Sequence, residues 1–129
     1  MTDRTDLLTA LEPVFAAVVG LDLHSPDAAA ALAQQFPLDG AVLVAVREAV
    51  DAGLRDGWLC PRESQGVRFG RPLKPTEAAH GYSVDAVDMD GPGPGHVHPN
   101  GEVDLCFAVD GAPRFDGHPP GWVVYPPGS

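Results

Sequence analysis

The chain has 129 residues, 44% hydrophobic and 20% charged, which predicts an ordinary soluble globule of one domain, or one small domain with a helical appendix, and argues against disorder. Eight Lys and Arg against 18 Asp and Glu give a net charge of −10, so neither a nucleic-acid backbone nor an anionic membrane surface is an expected partner. No apolar run approaches the ~20 residues that span a bilayer, the start Met1-Thr2-Asp3-Arg4 lacks a secretory plan, and the two cysteines, Cys60 and Cys106, are too few for a disulfide framework, which makes a reducing cytosol the expected compartment.

Glycine and proline divide the chain. Residues 1–60 hold three prolines, four glycines and twelve alanines, whereas residues 61–129 hold eleven prolines, eleven glycines and five alanines. The expected organisation is a helical segment over 1–60 followed by a strand-and-turn domain over 61–129. Leu7, Leu8, Leu11, Phe15, Val18 and Val19 recur at helical spacing, with Pro13 as a kink and Gly20 as a stop. Ser25-Pro26-Asp27 reads as a hydroxyl cap, a first-turn proline and an acid, opening a second helix that ends near Phe36-Pro37. A third begins after Asp39, carries Leu43, Val46, Val50 and Leu54 on one face, and ends at Gly53 or Gly57. These helices are expected to form a small bundle or a packing layer. Glu48, Asp51 and Asp56 around the third helix would repel phosphate, against a helix-turn-helix reader of DNA.

Beyond residue 60 the extended runs are short: Val67–Phe69, Tyr82–Met89, Glu102–Val109 and Trp122–Tyr125, a spacing that predicts an antiparallel sandwich or barrel. Along the third run Glu102, Asp104, Cys106 and Ala108 alternate with Val103, Leu105, Phe107 and Val109. The odd face should pack on helices or another sheet, and the even face should turn toward a polar interior. Asp104 is then either a partner to a histidine or a solvated strand residue. Cys106 and Cys60 read as packed thiols rather than nucleophiles.

Chemistry concentrates at Gly95-His96-Val97-His98-Pro99-Asn100-Gly101-Glu102. On a strand His96 and His98 project the same way, and Glu102 returns to their face if parity survives the Pro-Asn-Gly turn. Two imidazoles and a carboxylate make a facial three-ligand set for a divalent ion, iron, manganese or zinc, with positions open for water or substrate. The competing reading is a pair of solvent-facing histidines in a Gly/Pro loop. His80 reads equally as a cavity or a structural histidine; His118 and His24 read as surface residues.

His-x-His-x3-Glu, followed by a strand and Asp110-Gly111, resembles the first motif of the cupin superfamily, and Gly121 to Ser129 resembles the opening of the second. A wider pattern is more specific: Gly57-Trp58-Leu59-Cys60, Gly66-Val67-Arg68-Phe69-Gly70-Arg71, His80-Gly81-Tyr82-Ser83-Val84-Asp85, His96 to Leu105, Arg114-Phe115-Asp116-Gly117-His118 and Trp122 to Ser129. Together these stretches are similar to the 4-hydroxylaminobenzoate lyase family of bacterial nitrobenzoate degradation. The resemblance implies an α+β chain, with the helical segment leading into a cupin-like antiparallel β-barrel or jelly roll. It also implies a lyase that turns 4-hydroxylaminobenzoate into 3,4-dihydroxybenzoate and ammonia, with or without a bound ion. Ser129 falls about where the second motif would deliver its histidine. The barrel is therefore expected to be incomplete at that end, with an exposed edge that favours a homodimer.

Within this reading Glu102 is the candidate acid/base or metal ligand, and His96 and His98 are ligands or charge stabilisers. A small aromatic acid needs a cation for its carboxylate, and Arg68, Arg71 and Arg114 are the candidates because guanidinium binds carboxylate bidentately; any one arginine on an acidic chain is more often a surface ion-pair partner. Tyr82, with Trp58, Trp122 and Tyr125, would flank the ring or pack in the core. Two rivals stand beside the lyase: a metal-dependent cupin oxygenase or isomerase acting on another small acid, whose activity chelation would abolish, and a non-catalytic small-ligand-binding cupin, which would bind an aromatic acid and turn nothing over.

Overall fold

The computed structural model describes residues 4–74, 82–89, 102–108 and 120–126. Three helices, α1 (Arg4–Val19), α2 (Ala28–Gln35) and α3 (Ala41–Asp56), precede five strands: β1 (Arg62–Ser64), β2 (Val67–Leu73), β3 (Val84–Asp88), β4 (Glu102–Cys106) and β5 (Gly121–Tyr125). The chain is therefore α+β. The strands form two antiparallel sheets, β1-β2-β3 and β4-β5; no closed barrel is formed among the described residues. No helix among them is long and apolar enough to cross a membrane.

The contacts divide the chain into two compact units. The first holds α1, α3 and the three-stranded sheet. On α1, Leu7, Leu11, Val14, Phe15 and Val18 are buried, the i, i+4, i+7, i+8, i+11 stripe of an amphipathic helix, whereas Val19 is exposed. The helix continues through Pro13, which offers no N–H to the Thr9 carbonyl; both residues lie on the exposed side, where water can serve that carbonyl. On α3 the buried residues are Leu43, Val46, Ala49, Ala52 and Gly53. Val50 and Leu54, expected on the buried face, are only half-buried. The reason is close approach: a Cβ on Gly53 would stand 2.9 Å from Trp58 Cζ2 and 3.0 Å from Leu59 Cβ, so the small residues admit the segment that follows the helix. Gly57, at φ +83°, ends α3 by donating its N–H to the Gly53 carbonyl at 3.0 Å, a left-handed cap that glycine adopts without Cβ strain.

β1 and β2 are joined by a two-residue turn, Gln65 (φ +53°) and Gly66 (φ +80°), with Ser64 facing Val67. Two positive φ values mark the hairpin turn whose twist suits antiparallel strands. β1 was not among the expected strands, because its three residues are all exposed and carry no apolar alternation. β3 pairs with β2, Phe69 opposite Val87 and Arg68 opposite Asp88, with a register shift between Gly70 and Leu73.

The second unit joins α2 to the β4-β5 sheet. The expected helix start at Ser25-Pro26 moves to Ala28. Ser25 Oγ accepts from the Asp27 N–H at 3.2 Å, and the Ala28 N–H reaches the Ser25 carbonyl at 3.2 Å. The serine thus closes a tight turn that feeds the helix, and Asp27 becomes its cap residue without a side-chain bond. Phe36 closes α2, its N–H donating to the Leu32 carbonyl at 2.7 Å. Within the first unit α1 packs on α3 and β2; within the second α2 packs on β5.

Candidate functional site on strand β4

Antiparallel pairing sets the two faces of the β4-β5 ribbon. Glu102 lies opposite Tyr125, Asp104 opposite Val123 and Cys106 opposite Gly121; between them Val103 faces Val124 and Leu105 faces Trp122. Directly opposed residues share a face, so Glu102, Asp104 and Cys106 stand in a row on one side and Val103, Leu105, Val124 and Trp122 on the other. The apolar side meets the helix, as the alternation predicts. The Trp122 ring sits 6.3 Å from that of Phe36 at 48°, and its Nε1–H donates to the Phe36 carbonyl at 3.0 Å.

The carboxyl-bearing side is half-buried. Val123, opposite Asp104, is buried, and Asp104 Oδ2 is buried with no hydrogen-bond donor among the described residues. Burial, reinforced by a hydrogen bond to the Glu102 side chain and by that carboxylate's charge, pushes the Asp104 carboxyl up to about 8. Like charges this close disfavour double ionisation, so the Glu102–Asp104 pair holds on to one proton more strongly than two separate carboxyls would. Burial, with the nearby charges of Asp104 and Glu102, likewise pushes the Cys106 thiol up to about 11, so Cys106 is a packed thiol and not a ready nucleophile. Among the described residues the neighbour of Asp104 is Glu102; His96 and His98, with which a histidine pairing was expected, lie outside them. The period-two alternation along β4 was the signal that put the two acids side by side.

Arg68 and Arg71 lie on β2 with aspartates of β3. Arg68 is ion-paired to Asp88. Arg71 Nε donates to Asp85 Oδ1 at 2.6 Å and its Nη2 to Oδ2 at 3.2 Å, a two-pronged grip. These aspartate bonds raise both guanidinium pKa values. Both pairs are exposed, and a substrate carboxylate reaching either arginine would have to displace an aspartate. Sequence alone missed these partners because they sit 20 and 14 residues away, at positions that only strand register brings together. Tyr82 stacks parallel on Phe15, planes 4° apart and centroids 6.4 Å apart, and its hydroxyl makes a long 3.5 Å contact to the Val18 carbonyl, tying the approach to β3 onto α1. Cys60 is buried in the same unit; burial, then the Asp88 charge, raises its thiol pKa.

His96, His98 and Arg114, as well as His80 and His118, lie outside the described residues. Among the described residues no three His, Cys, Asp or Glu side chains assemble as a metal-ligand group.

The model of the family described as PnbB, 4-hydroxylaminobenzoate lyase, matches residues 10–129. The chain belongs to the 4-hydroxylaminobenzoate lyase family. Over 79 residues it is 34% identical to a protein of Nocardioides sp. (strain LMS-CY) named 4-hydroxylaminobenzoate lyase, a match covering 57% of this chain and 46% of that relative. The matched stretch thus spans about half the length of the curated relative. No solved structure matches the chain.

Proposed function

We propose that this lyase-family chain converts 4-hydroxylaminobenzoate and water into 3,4-dihydroxybenzoate and ammonia. The family match across residues 10–129 is the observation that carries the reading, and the Glu102–Asp104 pair supports it by supplying acid and base groups side by side. The reaction needs no external oxidant or reductant. Protonation of the N-hydroxyl lets it leave as water and withdraws electrons from the ring. A second water adds at the neighbouring ring carbon, hydrolysis of the resulting imine by a third releases ammonia, and loss of the ring proton restores aromaticity. One water is lost and two are taken up, so the net reaction consumes one.

In this scheme Glu102 delivers a proton to the departing hydroxyl and takes one from the attacking water, the paired roles a carboxyl fills when its proton is held by its surroundings. Tyr82 and one of Arg68, Arg71 and Arg114 would hold the ring and its carboxylate. We place the strands in a cupin-like barrel, which would bring His96 and His98 to the face of Glu102. Alternatively, Glu102 serves as a ligand instead of as acid and base: two imidazoles and a carboxylate suit a divalent ion of the iron, manganese or zinc type, His96, His98 and Glu102 would hold it, and when bound it would act as a Lewis acid on the substrate oxygen.

The test is Glu102→Gln, assayed for ammonia release from 4-hydroxylaminobenzoate. The expected loss is about 10²–10⁴-fold in kcat; unchanged turnover removes Glu102 from the mechanism.

A further inference from the structure

The three strands of the first unit present two unlike faces. Arg62, Phe69 and Val87 stand directly opposite one another across β1, β2 and β3, and Glu63, Arg68 and Asp88 form the neighbouring row. Directly opposed residues share a face, and successive rows alternate between faces. The Arg68 face is covered. A Cβ on Gly70, two residues on, would collide with the Leu59 carbonyl oxygen and stand 2.7 Å from Pro61 Cδ. The other face is open: Val87 is 57% exposed, Arg62 is exposed and Phe69 is half-buried. Arg71 belongs to this open face, because it grips Asp85, which lies two residues from Val87 on β3. That pair is self-neutralised, whereas Arg62 has no ion pair among the described residues.

We infer that the row Arg62–Phe69–Val87 is a binding subsite for an aromatic carboxylate, with the ring lying on Phe69 and Val87 and the carboxylate held by the Arg62 guanidinium. Strands lie ~4.8 Å apart, so the row spans about 10 Å, enough for one benzene ring and its carboxylate. On a chain of net charge −10 an anion needs a local cation. The guanidinium fork fits two carboxylate oxygens, and Arg62 gives up no aspartate to take them. The inference rests on the reading that the substrate is a substituted benzoate, and it adds Arg62 to the arginines named above.

The experiment is calorimetric titration of the intact protein with 3,4-dihydroxybenzoate and with its methyl ester, which keeps the ring and lacks the charge. The parent is compared with Arg62→Gln, Val87→Ser and Arg55→Gln, the last an exposed arginine of α3 that controls for net charge. The parent is expected to favour the acid over the ester by about 10–100-fold, the value of a charge-assisted bond. R62Q should bind the two within about 3-fold of each other, and R55Q should keep the parent's preference. V87S should weaken both compounds alike, by about 3–10-fold, through lost apolar contact. R62Q and V87S alter exposed side chains, and near-ultraviolet circular dichroism checks their folding. An R62Q that keeps the parent's preference overturns the inference, as does an R55Q that loses it or a parent that binds acid and ester equally. A V87S that binds both compounds as the parent does overturns the placing of the ring. Ammonia release from 4-hydroxylaminobenzoate is measured on the same proteins. A parent that prefers the acid through Arg62 yet releases no ammonia overturns the lyase reading and leaves the subsite standing.

Discussion

The indole Nε1–H of Trp122 donates to the carbonyl of Phe36 at 3.0 Å, so a strand residue satisfies a carbonyl at the end of α2. The last carbonyls of a helix have no intrahelical partner and must find one elsewhere. The Phe36 and Trp122 rings pack beside this bond, which makes the contact both a cap and an anchor for the ribbon that carries Glu102. Trp122→Phe keeps most of the ring packing and removes the donor. It is expected to lower stability by about 1 kcal/mol, the net value of one such bond, while Trp122→Ala costs about 3 kcal/mol or more through lost packing. Urea unfolding of the two variants separates the contributions.

The Asp104 carboxyl, raised to about 8 chiefly by burial, links stability to pH. The folded state holds this proton more tightly than the unfolded chain, whose carboxyl ionises near 4. Its stabilising contribution is thus complete below about pH 4 and is lost as pH rises toward 8. Chelator-treated protein should become progressively less stable from pH 4 to pH 8. Asp104→Asn should flatten that slope and gain about 1–2 kcal/mol at pH 8, the linkage value reduced for partial solvent access. Thermal melts across that range check both statements, and a parent curve already flat between pH 4 and 8 contradicts them.

Two glycines of α3 set its end. Gly57 sits at φ +83°, where an L-residue with a Cβ is strained by roughly 1–2 kcal/mol, so Gly57→Ala is expected to destabilise by about that amount. Gly53→Ala adds a methyl 2.9 Å from the Trp58 ring and 3.0 Å from Leu59 Cβ. Alanine is the better helix former by about 1 kcal/mol, but overpacking costs about 1–3 kcal/mol, and net destabilisation is expected. Chemical denaturation of both variants provides the check, and a more stable G53A would show that the Trp58 ring yields.

Both thiols should be slow to react. Cys106 is pushed up to about 11 and Cys60 is also raised, in each case mainly by burial. Since the thiolate is the reactive form, labelling of Cys106 by a disulfide reagent at pH 8 should run about 100-fold slower in the native protein than in urea-unfolded chain, where both cysteines behave as free thiols, and labelling of Cys60 should also be slowed. A native thiol that reacts at the unfolded rate would contradict the buried placement of that residue.

Much of the local structure is legible along the chain. The spacing of Leu7, Leu11, Phe15 and Val18, the glycine that ends α3, and the alternation from Glu102 to Cys106 are short-range patterns whose periods match helix or strand, and they agree with α1, α3 and β4. The motif stretches also pointed to the family that the match over residues 10–129 establishes. What the chain order does not carry is register and partnership. Arg68 meets Asp88 and Arg71 meets Asp85 only because β2 and β3 align in one register among several. Likewise, α2 is tied to β5 where Trp122 meets the Phe36 carbonyl 86 residues away. β1, whose Arg-Glu-Ser carries no apolar signal, is a strand because the Gln65-Gly66 turn folds it onto β2. Composition and periodicity are properties of neighbours in sequence and so determined the elements; the partners of Arg68, Arg71 and Trp122 depend on which surfaces bury each other, and only the tertiary structure decides that.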